Sequence, residues 1–202
     1  MQNETDLFTY ERKYLAEGKF LIAGVDEAGR GPLAGPVSVC AVIMPQNDII
    51  EGVNDSKKLT EKKREELYLQ IIEKAICVKN VFADAETVDT VNILNATKNC
   101  MKEAINTLFP IPHVVLIDAV KLDLIYPSVS IIHGDALSYS IGAASIVAKV
   151  LRDRLMVKYA EKYPEYHFEQ HKGYGTALHI EMLKKYGPCE IHRKSFIKGF
   201  IA

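Results

Sequence analysis

Residues 21–36, LIAGVDEAGRGPLAGP, constrain this chain more than any other stretch. Leu21 to Val25 make a short apolar run of the kind that forms a buried strand. Two carboxylates, Asp26 and Glu27, follow at once. Then comes Ala-Gly-Arg-Gly-Pro, too rich in glycine to continue a strand or a helix. The run predicts two acids where a strand ends, beside a loop whose backbone can come close to a ligand. Such a pair is costly, because like charges repel and burial disfavours the charged form. The acids could instead cap a turn, with Arg30 as a surface ion partner. Two more isolated carboxylates, Asp118 and Asp135, follow apolar runs further on and point to a shared site.

The rest of the chain supplies a scaffold for such a site. Residues 4–17 suit a short amphipathic helix stopped by Gly18. Val37 to Met44 is rich in β-branched residues and predicts a second strand, hairpin-paired with the first. Thr60 is an N-cap for a helix to about Ala75 that buries Leu67, Ile71, Ile72 and Ala75. A strand is expected over 76–83. One long helix is expected over 87–108, with Val91, Leu94, Met101, Ile105 and Leu108 on its buried face. His113 to Ile117 and residues 128–133 read as further strands, with Asp118 and Asp135 just beyond them. From Ser138 a helix runs to about Tyr163, with small residues in its early turns. Within it, Asp153 reads as a member of a local ion pair. Residues 164–175 form an aromatic, basic loop, and Thr176 caps a last helix that stops at Gly187-Pro188. Strands alternating with helices after a hairpin predict an α/β domain with a mixed sheet covered by helices. In open α/β sheets the functional crevice lies beyond the carboxyl ends of the strands.

Composition narrows the function. At 202 residues and a formal net charge of −1, the chain has no global basic field. A nucleic-acid partner must therefore be attracted by local patches or by bound cations. The four cysteines, Cys40, Cys77, Cys100 and Cys189, are scattered without a C-x-x-C pair, which argues against a zinc site. Cys40 and Cys77 are expected as buried free thiols in a reducing compartment. The start lacks an apolar signal core, and no run reaches membrane-spanning length, so a cytoplasmic protein is expected, with no membrane partner.

Oxygen-only ligands suit Mg²⁺ or Mn²⁺. Three or four convergent carboxylates cannot all stay ionised without positive charge between them, and two divalent ions about 3.5–4 Å apart would supply it. That arrangement performs in-line hydrolysis of a phosphodiester. A turn-forming role for Asp118 and Asp135 remains the plain alternative. So, at the level of the whole chain, does a non-catalytic nucleic-acid binder, although clustered acids repel phosphate.

In order, GVDEAGRGPLAGPV, DSKKL, LIDAVKL, HGD with AASIVAKVLRDR, and HKGYGT resemble the ribonuclease HII family, from about residue 20 into the C-terminal region. The resemblance implies a ribonuclease H-like α/β fold, with residues 1–202 as one catalytic domain and residues 164–202 as its helical, substrate-contacting C-terminal part. It implies an endonuclease that cuts the RNA strand of RNA/DNA hybrids and incises 5′ to single ribonucleotides in duplex DNA, leaving 3′-hydroxyl and 5′-phosphate ends. Its catalytic and metal-binding acids would be Asp26, Glu27, Asp118 and Asp135, holding two Mn²⁺ or Mg²⁺ ions with substrate bound. The backbone of Gly29, Arg30 and Gly31 would contact the ribose 2′-hydroxyl, and Tyr174 would sense the substrate junction. Lys57 and Lys58 are candidate phosphate contacts, with Lys172 and the run His192-Arg193-Lys194 as weaker ones. A monomer is expected. Ala119-Val120 stands where many family members have glycine. The extra N-terminal domain and different first motif of the ribonuclease HIII type have no counterpart here. A two-metal nuclease of the same fold that needs no 2′-hydroxyl is the enzymatic alternative.

Overall fold

The computed structural model describes residues 6–201. Five strands, β1 (Ile22–Ala28), β2 (Val37–Ile43), β3 (Cys77–Ala83), β4 (Val114–Asp118) and β5 (Ser128–Ile131), form one mixed sheet in the order β3-β2-β1-β4-β5. The β1–β2 and β2–β3 pairs are antiparallel, as the expected hairpin requires, whereas β1–β4 and β4–β5 are parallel. Helix α1 (Thr9–Ala16) falls within the expected 4–17, of which residues 4 and 5 lie outside the described range.

Strand side chains alternate between faces, and each face has its own cover. Val37, Val39, Ala41 and Ile43 of β2 join Ala23, Val25, Val115 and Ile117 against α3 (Ala85–Val91) and α4 (Ile93–Asn106). Cys40 and Val42 pack on the other side with Leu67 and Ile71 of α2 (Glu61–Lys74) and the early turns of α5 (Tyr139–Lys162). The Thr60 and Ser138 hydroxyls cap α2 and α5 as expected, each accepting a backbone N–H three residues on. Helix α5 crosses β1 so closely that a β-carbon on Gly24 would fall within the backbone of Ser140 and Ile141. Only glycine permits that approach.

Three expectations fail for local reasons. The helix foreseen over 87–108 is two helices, broken at Asn92, whose φ of 65° is a left-handed conformation that asparagine tolerates. Its side chain accepts the Asn95 N–H, starting α4 anew. The break rotates the buried stripe, so Leu94 is 43% exposed while Ala96 and Thr97 go inside. In α2, Ile72 is likewise 43% exposed, and the buried stripe there is Leu67 and Ile71. Helix α7 (Ala177–Tyr186), capped by Thr176 and ended at Gly187, follows the short α6 (Phe168–His171) but is not the last. A further turn, α8 (Lys194–Ile197), follows because the Asp89 carboxylate accepts the N–H groups of Lys194 (2.7 Å) and Ser195 (2.9 Å). No helix of the described residues is long and apolar enough to cross a membrane. Cys40 is buried as expected, whereas Cys77 is only partly so; all four cysteines are free.

Candidate active site

Strand β1 does not end before its acids. It runs through both to Ala28, pairing Asp26 with Cys40 and Glu27 with Val39 of β2. Its partnership with β4 does end, at Val25 opposite Ile117. The acids therefore occupy a step in the sheet where one neighbour has stopped. Asp118, the last residue of β4, stands at that step. Asp135 lies on the single turn Gly134–Ala136 that follows β5. Hydrogen bonding fixes the carboxylates: Asp26 Oδ1 accepts the Glu27 N–H (2.7 Å) and Asp118 Oδ1 accepts the Gly134 N–H (2.7 Å).

The electrostatics are those of a crowded, partly dry site. Asp26 is only 3% exposed, and burial, then the charges of Glu27 and Asp118, push its pKa well up; the Ser145 hydroxyl of α5 works against the shift. Burial also raises Glu27 against the nearby Arg30 guanidinium (3.3 Å), with Asp118 adding to the rise. Asp118 itself is raised by burial and by Asp135, against its bond from Gly134. Glu27 Oε2 is buried without a hydrogen-bond partner. Lys57 Nζ reaches Asp135 Oδ2 at 3.3 Å. Burial disfavours the Lys57 ammonium, but Asp135 and Asp26 outweigh it and raise its pKa. Lys58, next in the chain, is exposed and forms no side-chain hydrogen bond or ion pair among the described residues. The loop carrying Lys57 is anchored by Ser56, whose hydroxyl meets that of Ser145 (2.9 Å) inside the protein.

Among the described residues no three His, Cys, Asp or Glu side chains form a ready-made metal cage. The donor set nevertheless fits hard divalent cations. It offers only carboxylate oxygens, one of them unpartnered, and their mutual repulsion is what a cation would relieve.

Two buried arginines brace the neighbouring Gly-Arg-Gly loop. Arg193, fully buried, donates to the carbonyls of Gly29 (2.6 Å), Arg30 (2.9 Å) and Gly35 (3.0 Å). Arg152, also fully buried, donates to those of Pro36 (2.9 Å), Ala34 (3.2 Å) and Lys172 (3.0 Å). Gly29 has φ 94°, and a β-carbon on it would strike the Arg152 side chain. Tyr174 is 42% exposed, its ring beside Gly31 and 5.8 Å from both the Arg152 guanidinium carbon and Lys149 Nζ. The structure thus brings together the four acids, Lys57, the Gly29–Gly31 loop and Tyr174.

The weaker basic candidates are redirected. Arg193 and His192 are interior residues and cannot contact phosphate from the surface, and the Lys172 ammonium bonds the Glu169 carbonyl. Lys194 is exposed. Asp153 forms its ion pair with Lys149 (2.7 Å), as its default reading required. Sequence reasoning missed Ser145 and Arg152 as site residues, and took Arg193 for a phosphate contact where it is a brace of the loop. Ser145 carried the signal of small residues along one stripe, but an arginine destined for the interior looks like any surface arginine until the carbonyls around it are known.

The ribonuclease HII family model matches residues 23–199. The chain is 54% identical over 202 residues to a ribonuclease HII of Ruminiclostridium cellulolyticum, covering 100% of this chain and 79% of that protein. A ribonuclease HII of Caldicellulosiruptor bescii is 53% identical over 203 residues, covering 100% of this chain and 98% of its own length. Among solved structures, ribonuclease H2 from Pyrococcus horikoshii OT3 has a TM-score of 0.74 at 29% identity, over 86% of this chain and 92% of that one.

Proposed function

The chain belongs to the ribonuclease HII family, an endonuclease acting on the RNA of RNA/DNA hybrids, and from that premise we propose that Asp26, Glu27, Asp118 and Asp135 are its catalytic centre and that it also incises 5′ to single ribonucleotides in duplex DNA. The observation that carries the proposal is geometric: Asp26, Glu27, Asp118 and Asp135 meet where β4 stops beside β1, around a buried Glu27 oxygen without a partner, and burial, helped by neighbouring carboxylates, raises the pKa of the first three. Such a cluster is poorly suited to a metal-free state and well suited to two divalent cations. Bound there, Mg²⁺ or Mn²⁺ would lower the pKa of a water and neutralise charge developing on the phosphate.

The protein's own groups then divide the work. Backbone N–H groups hold the Asp26 and Asp118 carboxylates, Arg30 holds that of Glu27 and Lys57 that of Asp135, which would give the reacting phosphate an ordered seat. Arg193 occupies the Gly29 and Arg30 carbonyls, while the N–H groups of Arg30 and Gly31 form no hydrogen bond among the described residues. Those amides are available to a ribose 2′-hydroxyl, the group that separates RNA from DNA. Tyr174 offers an exposed ring beside Gly31 for the sugar or base at the junction. Lys57 supplies a cation at the phosphate-facing rim, with the exposed Lys58 beside it.

The test is cleavage of labelled duplexes carrying one ribonucleotide, a long RNA strand, or DNA alone, with Mg²⁺, Mn²⁺ or EDTA. A metal-dependent cut 5′ to the ribonucleotide, leaving a 3′-hydroxyl, and its loss in Asp118→Asn are the expected results. Cleavage of the all-DNA duplex would discard the 2′-hydroxyl reading. Full activity of Asp118→Asn would discard the acidic centre.

A further inference from the structure

Behind Tyr174 lies a group of buried histidines for which cleavage, as described above, has no use. His179 is fully buried and His192 is 2% exposed. His179 Nδ1 lies 2.9 Å from the Tyr174 carbonyl oxygen, and its Nε2 lies 3.1 Å from His192 Nε2. His192 Nδ1 is met by the Cys189 backbone N–H at 3.0 Å, with the Cys189 Sγ 3.1 Å from the same nitrogen.

These contacts determine where the protons sit. A carbonyl only accepts, so His179 must carry its proton on Nδ1. Its Nε2 is then an acceptor, and His192 must donate from Nε2. That leaves His192 Nδ1 as an acceptor, which is what the Cys189 N–H requires. The two ends of the chain fix the same assignment independently. The order is Cys189 N–H to His192, His192 to His179, and His179 to the Tyr174 carbonyl.

The turn thus held is fixed peptide by peptide. The Lys172 carbonyl accepts from Arg152, and the Gly173 carbonyl accepts from the N–H groups of Leu33 (2.9 Å) and Ala34 (3.3 Å). The Gly173 N–H bonds His171 Nδ1 (3.2 Å), whose Nε2–H serves the Tyr166 carbonyl (2.8 Å). His171 stacks on His179 with centroids 4.4 Å apart, and Phe168 meets His179 edge-on. Two peptide groups of this turn, the Gly173 N–H and the Tyr174 carbonyl, are thus held by imidazoles that have partners of their own; the Tyr174 carbonyl also accepts the Thr176 N–H (2.8 Å), and the Tyr174 N–H donates to the His171 carbonyl (2.9 Å).

We propose that His179, oriented by His192, is a positioning residue for substrate selection: its Nδ1–H fixes the Tyr174 backbone and so the angle at which the Tyr174 ring meets the sugar at an RNA–DNA junction. The proposal deepens the reading of Tyr174 given above and rests on it. Neutral imidazoles are essential to the device, because a second proton on either ring would set two N–H groups against each other.

The experiment compares kcat and KM of the metal-loaded enzyme on a single-ribonucleotide duplex and on a long hybrid, for wild type, His179→Leu, His179→Asn and Tyr174→Ala. Loss of one hydrogen bond to a positioned group is expected to lower kcat/KM of His179→Leu about tenfold more on the single-ribonucleotide duplex than on the hybrid. His179→Asn, whose amide N–H takes the place of Nδ1–H, should recover most of that loss. Equal losses on both substrates, or no recovery in His179→Asn, would overturn the proposal. If Tyr174→Ala leaves the ratio between substrates unchanged, the reading of Tyr174 falls and this inference with it. If Tyr174→Ala shifts the ratio and His179→Leu does not, the histidine device alone falls. ¹⁵N NMR of the wild-type protein decides independently of any variant's folding: a proton on His179 Nδ1 and on His192 Nε2 is expected, and the opposite pair of tautomers overturns the assignment.

Discussion

Replacing Asp26 by asparagine should make the metal-free protein more stable while destroying its activity. Asparagine keeps the shape of the side chain and its oxygen can still accept the Glu27 N–H at 2.7 Å. What disappears is a charge that burial, Glu27 and Asp118 all oppose. Neutralising an uncompensated buried charge with hydrogen bonding kept is worth about 1–3 kcal/mol. For a chain of this size that raises Tm by about 3–10 °C. The sign follows from linkage. A carboxyl whose folded pKa is raised above its unfolded value of 3.8 binds its proton more tightly in the native state, so wild-type stability falls as pH rises past that value. The advantage of the variant should therefore be absent below about pH 3.8, where both chains are neutral at this position, and grow towards pH 8. Metal reverses the order. An ion present at about 100 times its Kd stabilises the native state by roughly 2.7 kcal/mol, and the variant, lacking a ligand charge, should gain much less. Cleavage should fall at least about a hundredfold, the scale for removing one charge-stabilising group. The assay is differential scanning calorimetry in EDTA and in Mn²⁺, at several pH values, beside cleavage. A variant that melts below wild type in EDTA, or gains as much from Mn²⁺, would refute the reasoning.

Two further outcomes follow from the packing. Gly24→Ala sets a methyl group into the Ser140–Ile141 backbone, where no flexible side chain can yield, so it should cost about 3 kcal/mol or more in a urea titration; a loss under about 1 kcal/mol would mean α5 can lift from the sheet. His179 and His192 are held down to about 4 by burial, against an unfolded value of 6.5, so the unfolded chain binds more protons between those values. Their contribution is full above pH 6.5 and is lost as pH falls towards 4, with a ceiling of roughly 3 kcal/mol for each ring. The urea midpoint should drop between pH 7 and pH 5, and this drop should shrink in the double variant His179→Asn, His192→Gln; an undiminished drop would place the effect elsewhere.

The sheet and most helix starts were legible because they rest on local rules. Thr60, Ser138 and Thr176 cap the helices their sequence positions announce. The break at Asn92 was not legible: the apolar spacing runs across it, and only the left-handed backbone there reveals two helices. Nor could the sequence show that β1 continues through Asp26 and Glu27, since what stops at Val25 is the neighbouring strand β4. The four acids and the glycine loop were visible through their motifs. Their supports were not, because a buried arginine or histidine is defined by distant carbonyls. Arg193 is 163 residues from the Arg30 carbonyl it holds, and no local pattern records that separation.

That separation has a consequence for synthesis. The acids at residues 26, 27, 118 and 135 emerge from the ribosome well before Arg193, and so does the loop they adjoin. Domains fold as units, so the loop waits for the end of the chain. Until Arg193 emerges, the carbonyls of Gly29 and Arg30 lack the guanidinium that holds them. A product cut short before Arg193 would carry all four acids beside a loop with one of its two buried braces missing.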